Sequence, residues 1–430
     1  MFEWKRYPEA EIYLNNTIDR MKKIDRDAGS FLNEISNRTS TRVLDWIDHL
    51  VVPDGMDGDH LEKIGYSRDT DKHPDGTVWR HTGSNLPPVV LSDGDCSLVA
   101  LKVENIHRFA EVNKIKGEIQ GSQHSRLRQA GILSRGIELI AVDRRGYDGF
   151  STDQGTDGDD YLEFYNNLKS RERGSEDLKD LRKLIASAHL DKGRMADAYF
   201  RAERRYWESR NTTAMVQWMR QDGMGLGWGN HDHHTFRCSR ESYRETISVL
   251  ESLGMEPRER FYAGEQAGWG AQVLEHPVCG ITVFADVDLY PEEKDGDFSH
   301  KGLEPARKLG TVGLWVGLHG ESMLSAGLHH IAVLVDFKRA VMETGIPTMA
   351  PFSNFPYLKQ CFTEGGRWKV LKERARDLSA KKMITDEQFE RFVKKGALGS
   401  HLEFIERREG FKGFNQTSVS DIISRTDPRK

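Results

Sequence analysis

Three pairs of segments along the chain repeat the same order of apolar and polar positions. Residues 97–111, SLVALKVENIHRFAE, and residues 329–343, HHIAVLVDFKRAVME, align without a gap. Each is a β-rich apolar run that leads into an amphipathic helix, so the period passes from about two residues to about 3.6. Residues 43–66, VLDWIDHLVVPDGMDGDHLEKIGY, and 228–255, WGNHDHHTFRCSRESYRETISVLESLGM, form the second pair. Both give a strand pattern with an Asp-His pair, then a helix that ends in Leu-Glu-x-hydrophobic-Gly. The third pair is 137–150, IELIAVDRRGYDGF, and 402–414, LEFIERREGFKGF, whose tails agree while the upstream register differs by one residue.

Repeats in the same order predict two related β-rich modules, at about 40–150 and 226–425, each made of paired strand–helix–strand units. Divided over the whole chain, 1–150 carries the first module, 151–225 a linker with helices, and 226–430 the second module. The linker opens on the polar run STDQGTDGDD. Helical stretches follow around 175–222, with apolar residues at helical spacing under a charged face, and are expected to pack on the modules.

The composition narrows the function classes. Over 430 residues, 62 Lys and Arg against 67 Asp and Glu give a net charge of −5, and no long basic run offers a nucleic acid a footprint. Hydrophobic residues make up 37%, the mean hydropathy is −0.64, and no run of about 18 apolar residues could span a membrane. The start, MFEWKRYPEAEIYLNN, lacks the apolar core of a signal peptide. The four cysteines, Cys96, Cys238, Cys279 and Cys361, lie far apart with no CxxC pair. They read as reduced thiols in a cytoplasmic protein, and any metal must rest on His, Asp and Glu. The glycine-rich GMGLGWGN at 223–230 follows a helix and enters a strand, the reverse of a dinucleotide loop.

Candidate ligands lie on three apolar strands. If 231–238 is a strand, alternation puts His231, His233, Thr235 and Arg237 on one side and His234, Phe236 and Cys238 on the other. Four residues separate His233 from Arg237, about 13 Å at the α-carbons. Arginine suits a carboxylate by paired hydrogen bonds. In GLHHIAVLVDF, His329 shares a face with Ile331, Val333 and Val335, the side expected to pack on helices. His330 shares one with Ala332 and Leu334, as a pocket wall would, and is the preferred ligand. In HLEFIERREGF, Glu403 lies between Leu402 and Phe404, where an unpaired carboxylate is costly, so a metal or an arginine is expected beside it. Glu406 is the alternative, nearer the charged end. Two histidines and a carboxylate are the ligand set of non-heme iron(II) enzymes. In the aligned first module His233 meets His49, His330 meets Leu98, and Glu403 meets Leu139 with Glu138 one position away. That half is expected to hold no metal, and His49 to be structural.

HHTFRC followed by ETISVLESLGMEP resembles the 2-oxoadipate dioxygenase/decarboxylase family, in which a His-x-x-x-Arg strand precedes such a helix. The resemblance implies His233, rather than His231 or His234, as the ligand and Arg237 as the substrate-binding, catalytic arginine. More distantly, LHHIAVLVD and LEFIERREGFKGFNQTSV resemble the metal-binding strands of 4-hydroxyphenylpyruvate dioxygenase, which implies His330 and Glu403. Both families belong to the vicinal-oxygen-chelate superfamily. The fold implied is therefore α+β, with tandem βαβββ modules forming an open half-barrel and a helical segment inserted. The activity implied is that of an Fe(II) dioxygenase with O2 as co-substrate, acting on a 2-oxo acid or related carboxylate by oxidative decarboxylation coupled to hydroxylation. Phe411 and Phe414 are both candidates to line the substrate pocket, with a core role as the alternative for each, and Phe414 is the one taken as substrate-binding. Extradiol ring cleavage, a metal-dependent isomerisation and a non-enzymatic ligand-binding module are the alternatives. The partner expected is a small carboxylate, not nucleic acid or membrane, and a homo-oligomer is compatible with the sequence.

Overall fold

The computed structural model describes residues 4–53, 58–134, 136–152, 158–174, 177–415 and 426–429. Seven strands form a first sheet: β1 (Ile47–Pro53), β2 (Tyr66–His73), β3 (Gly76–His81), β4 (Val89–Ser92), β5 (Leu98–Lys102), β6 (Leu127–Ser134) and β7 (Glu138–Arg144). Their order is β2-β3-β4-β1-β5-β7-β6. A second sheet holds β8 (His231–Cys238), β9 (Glu256–Tyr262), β10 (Trp269–Glu275), β11 (Thr282–Asp288), β12 (His330–Leu334), β13 (Ser353–Phe355) and β14 (Leu358–Phe362). After a two-residue pair, β15 (Arg367–Trp368) with β16 (Ala397–Leu398), it is completed by β17 (His401–Arg407), giving the order β13-β14-β17-β12-β8-β11-β10-β9.

Both sheets follow one rule. In each, two units meet through antiparallel first strands, β1 with β5 and β8 with β12. A helix follows each first strand, and the unit's last strand returns parallel beside it: β4 on β1, β7 on β5, β11 on β8 and β17 on β12. Three of the units are βαβββ, and the one that starts at β5 has two strands after its helix. This is the α+β fold of tandem βαβββ modules expected from the sequence.

Alternation along the strands decides which face each module buries. In the second sheet Phe236, Cys238, Val283, Ala285, Val287, Ile331, Val333, Leu402 and Phe404 form the main core with the helices packed on that face. The opposite face carries His233, His330 and Glu403. Two features went unread in the sequence. Helices Pro8–Ile24 and Arg26–Thr39 pack against the first sheet through Leu14, Ile18, Met21, Leu32 and Ile35. Asp25 starts the second of them by accepting from the backbone N–H groups of Asp27 and Ala28, both at 3.0 Å.

The charged face of helix Lys192–Glu208 is also not solvated. Arg194, Glu203, Arg204 and Glu208 are buried along with Tyr199, Phe200 and Trp207. Arg201 crosses to the first module, donating to Asp143 at 3.0 Å and to the Arg144 carbonyl at 2.7 Å, while its other amino group donates to the Glu104 carbonyl. Glu203 holds Arg171 and Arg173 at 2.8 and 2.7 Å. The charges of Arg201 and Glu203 are thus answered by partners within the protein. Among the described residues, no helix is long and apolar enough to cross a membrane.

Candidate metal centre

β8 breaks its alternation at one residue. His233 pairs with Ala332 and His231 with Val333, so Asp232 is an extra residue, a bulge in the ladder. The bulge turns His231 away from the face predicted for it. Its ring lies 5.2 Å from that of His234, and its Nδ1 is 2.9 Å from the Trp228 carbonyl. His231 and His234 therefore lie outside the site, and burial pushes both below the usual histidine range. The same bulge aims the Asp232 carboxylate at its neighbour, 2.8 Å from His233 Nδ1.

That contact settles how His233 can act. With Nδ1 held as a donor to Asp232, Nε2 is the nitrogen that faces the cavity, and the proton it carries at neutral pH must leave before it can take an ion. Arg407 secures Asp232 from behind, with Nε at 2.6 Å and Nη2 at 3.0 Å. The same guanidinium donates to the carbonyl of Gly413 at 2.6 Å and lies over the Phe414 ring at 4.6 Å. One side chain thus anchors both the metal-facing histidine and the turn that follows β17.

His330 Nε2 lies 3.3 Å from His233 Nε2, and Glu403 Oε2 lies 3.3 and 3.2 Å from the two imidazole nitrogens. A bound ion about 2.1 Å from each of three ligands at right angles would separate them by about 3.0 Å, so the donor atoms already stand at the spacing such an ion needs. Two nitrogens and one oxygen suit a first-row divalent metal, and a triad on one side leaves positions open opposite. Among the described residues this is the one group of three or more such side chains placed to hold an ion. Glu403 is fixed at its other oxygen by Gln360 Nε2 at 2.8 Å, and His330 Nδ1 is 3.0 Å from His329 Nδ1.

The charges agree with this geometry. Burial alone would lower His233, but Glu403 and Asp232 on either side outweigh it and raise it to about 9. Burial would raise Glu403, but the two histidines hold it down at about 2. His330 is lowered to about 4, first by burial, with the His233 charge adding to it against the pull of Glu403. Without an ion the triad keeps one proton, shared around Glu403.

The triad opens onto a cavity of about 570 Å³, part of it continuous with solvent, walled by Phe261, Trp269, Phe284, Phe352, Phe362 and Phe414. Phe414 packs edge-on against His233 at 5.2 Å and against Phe284 at 4.6 Å. Phe411 lies instead against Tyr357 at 4.8 Å, away from the cavity. Residues 416–419, the end of the motif that resembled a metal-binding strand, fall outside the described residues. Arg237 reaches the same cavity from the far end of β8. It is 3% exposed, and among the described residues its Nε and Nη1 have no hydrogen-bond partner. Burial lowers it to about 10, against the pull of the Asp286, Asp288 and Asp427 carboxylates.

The first module keeps the supports of this centre and lacks its ligands. β1 bulges at Asp48 as β8 does at Asp232, and Asp48 Oδ1 lies 2.7 Å from His49 Nδ1. Arg144 grips Asp48 at 2.7 and 2.9 Å, donates to the Gly149 carbonyl at 2.5 Å, and lies over Phe150 at 5.2 Å. The register corrects one equivalence from the sequence. His49, Ala100 and Ile140 form the cross-strand row that matches His233, Ala332 and Glu403, so the partner of Glu403 is Ile140, not Leu139. The cause is a single extra residue after β17: Glu409, in the left-handed region at φ 58°, stands where the first module runs directly from Arg145 to Gly146. Leu98, Ile140, Val51, Val78 and Phe150 fill the space with apolar side chains.

Asp232, Arg407, Gln360 and Asp286 were not found from the sequence. The repeated Asp-His pair and the arginines of the third repeat were the available signal for the first two.

No protein-family model matches the chain, and no curated protein matches its sequence. Solved structures give distant likenesses. A putative hydrolase from Shewanella frigidimarina is 15% identical over 56% of this chain and 98% of its own, with a TM-score of 0.35. A triple mutant of 4-hydroxymandelate synthase from Streptomyces coelicolor is 13% identical over 89% of this chain and 98% of its own, at 0.30. Methylmalonyl-CoA epimerase from Mycobacterium tuberculosis is 11% identical over 42% and 88%, at 0.24. Figures this low carry no activity across to this chain.

Proposed function

We propose that the chain is an iron(II)-dependent dioxygenase of the vicinal-oxygen-chelate type that acts on a 2-oxo acid or related carboxylate. The observation that supports this reading is a two-histidine, one-carboxylate triad facing one cavity with a buried arginine whose Nε and Nη1 have no partner among the described residues. In the reaction proposed, the bond between the carboxyl and keto carbons breaks and CO2 leaves. One oxygen atom of O2 completes the new carboxylate and the other enters the remainder of the substrate as a hydroxyl, so the four electrons O2 accepts come two from each oxidation.

Iron held by His233, His330 and Glu403 would supply the redox chemistry and an anchor for substrate oxygens. The chain's own residues supply the rest. Asp232 and Arg407 keep the His233 ring in the tautomer and orientation that present Nε2. Gln360 fixes the free oxygen of Glu403. Arg237 is the group that would grip a substrate carboxylate, and since it forms no ion pair among the described residues, none of them must release it first. Phe284, Phe362 and Phe414 exclude water from the reacting end.

The test is an oxygen electrode with purified protein, Fe(II) and a panel of 2-oxo acids. The expected result is O2 uptake matched one-to-one by CO2 release, with kcat/KM falling about 100-fold or more in Arg237→Met. Uptake of no O2 with any member of the panel would sink the proposal, and turnover under anaerobic conditions would move it to the isomerase class.

A further inference from the structure

Asp286 lies opposite Arg237 in the same cavity wall. β11 runs parallel to β8 with Asp286 in register with Arg237, so the two side chains leave the sheet on the same face. Both are 3% exposed. Yet they do not bond. Among the described residues Arg237 Nε and Nη1 and Asp286 Oδ1 have no hydrogen-bond partner, and no nitrogen of one comes within 4.0 Å of an oxygen of the other. Leaving a buried polar atom unpaired costs about 1–3 kcal/mol, more for a charged one, so a guanidinium and a carboxyl group on neighbouring strands should close on each other unless something belongs between them.

Arg237 also feels the carboxylates of Asp288 and Asp427, and burial raises the Asp286 carboxyl to about 7, but among the described residues none of these acids forms an ion pair with Arg237. The Arg237 backbone N–H donates to Ser322 Oγ at 2.8 Å, and the guanidinium lies 5.7 Å from the Trp315 ring. Asp288, the next acid on that face of β11, is drawn away. It accepts from the backbone N–H groups of Gly310, Val312 and Gly313 at 2.6, 3.1 and 3.0 Å, at the start of helix Thr311–His319. Asp286 has no such cap.

We infer that the ligand's far end carries a hydrogen-bond donor beside its carboxylate, the carboxylate bonding Arg237 and a hydroxyl or amino group on the adjacent carbon bonding Asp286. This rests on the proposal that Arg237 binds a carboxylate. Adjacent strands are about 4.8 Å apart, a gap that a carboxylate and a substituent on the neighbouring carbon can bridge. A plain carboxylate would satisfy Arg237 but leave an anion facing Asp286 with nothing between them. The pair therefore selects 2-hydroxy or 2-amino end groups over unsubstituted ones, by pairing one and repelling the other.

Anaerobic titration calorimetry on Fe(II)-loaded protein tests this with glutarate, 2-hydroxyglutarate and glutamate. The wild type is expected to bind at least one substituted acid about tenfold or more tightly than glutarate. Asp286→Ala should bring that preference below about twofold, and Asp286→Leu should do the same if the alanine variant folds poorly. Arg237→Met should weaken all three ligands. A preference that survives both Asp286 variants would place the hydroxyl or amino group at the metal and overturn the inference. Equal binding of all three acids by the wild type would overturn it too, while leaving the Arg237 reading intact. If none binds, both fall.

Discussion

Glu403 is a carboxylate with no solvent, enclosed by two imidazoles, and its position defines what the site can bind. Left alone, such a group would be driven neutral by burial; here His233 keeps it ionised at about 2 and is itself raised to about 9. Between those values the empty triad carries one proton, and an ion that takes His233 Nε2 must displace it. A proton that competes with the metal makes apparent affinity rise with pH and stop rising once the proton is gone. From pH 6 to pH 8 the dissociation constant for Co(II) should therefore fall about tenfold per pH unit, levelling off near pH 9, with one proton released per ion bound. Titrations in buffers of different ionisation heat count that proton, and a pH-independent affinity would contradict the shared-proton picture. At this scale the sequence was informative where alternation and cost agreed: it chose His330 over His329 and Glu403 over Glu406, and the structure brings the chosen two together with His233. It was silent on Asp286 and Gln360, because their roles depend on which strands become neighbours. A 2.0 period reports only which face a side chain leaves from.

At the scale of the element, the Asp-His bulge with its arginine occurs twice, and only one copy supports a donor set. This gives an internal control. Arg407→Leu removes both bonds to Asp232 and the cap on the turn that holds Phe414, so it should weaken metal binding about 10–100-fold, as loss of a ligand's support does elsewhere. Arg144→Leu makes the same cut at the first bulge and strands Asp48 without its cation. It should lower the unfolding midpoint while leaving metal affinity within about twofold, because no ion depends on His49. Metal titration and thermal unfolding of the two variants separate these effects, and equal losses of affinity would show that the arginines act through general stability alone. The bulge also explains why the sequence misplaced His231. Strict alternation assigned it to the face of His233, but one extra residue reverses every side chain before it. Nothing in a single sequence marks a bulge; the repeat of Asp-His in WIDHL and NHDHH was the trace of it.

Over the whole molecule, the repeat order predicted the architecture because burial patterns recur in both halves, whereas the metal-binding side chains recur in only one. Only two positions in the first module depart from the triad: Leu98 for His330 and Ile140 for Glu403, with His49, Asp48, Arg144 and Phe150 in matching places. If the backbone and the bulge carry the geometry, restoring those two side chains should restore the site. Leu98→His with Ile140→Glu places two polar groups in an apolar cluster, which costs stability in the absence of metal, on the order of 2–5 kcal/mol. Bound metal would return part of it, about 4 kcal/mol when the ion is at a thousand times its dissociation constant. The double variant should thus bind two Co(II) ions per chain where the wild type binds one, and its unfolding midpoint should rise more steeply with added metal. Metal analysis after gel filtration gives the count, and circular dichroism confirms that the chain is folded. A folded double variant that still binds one ion would show that the two modules share a topology but not the ångström-level placement a metal requires.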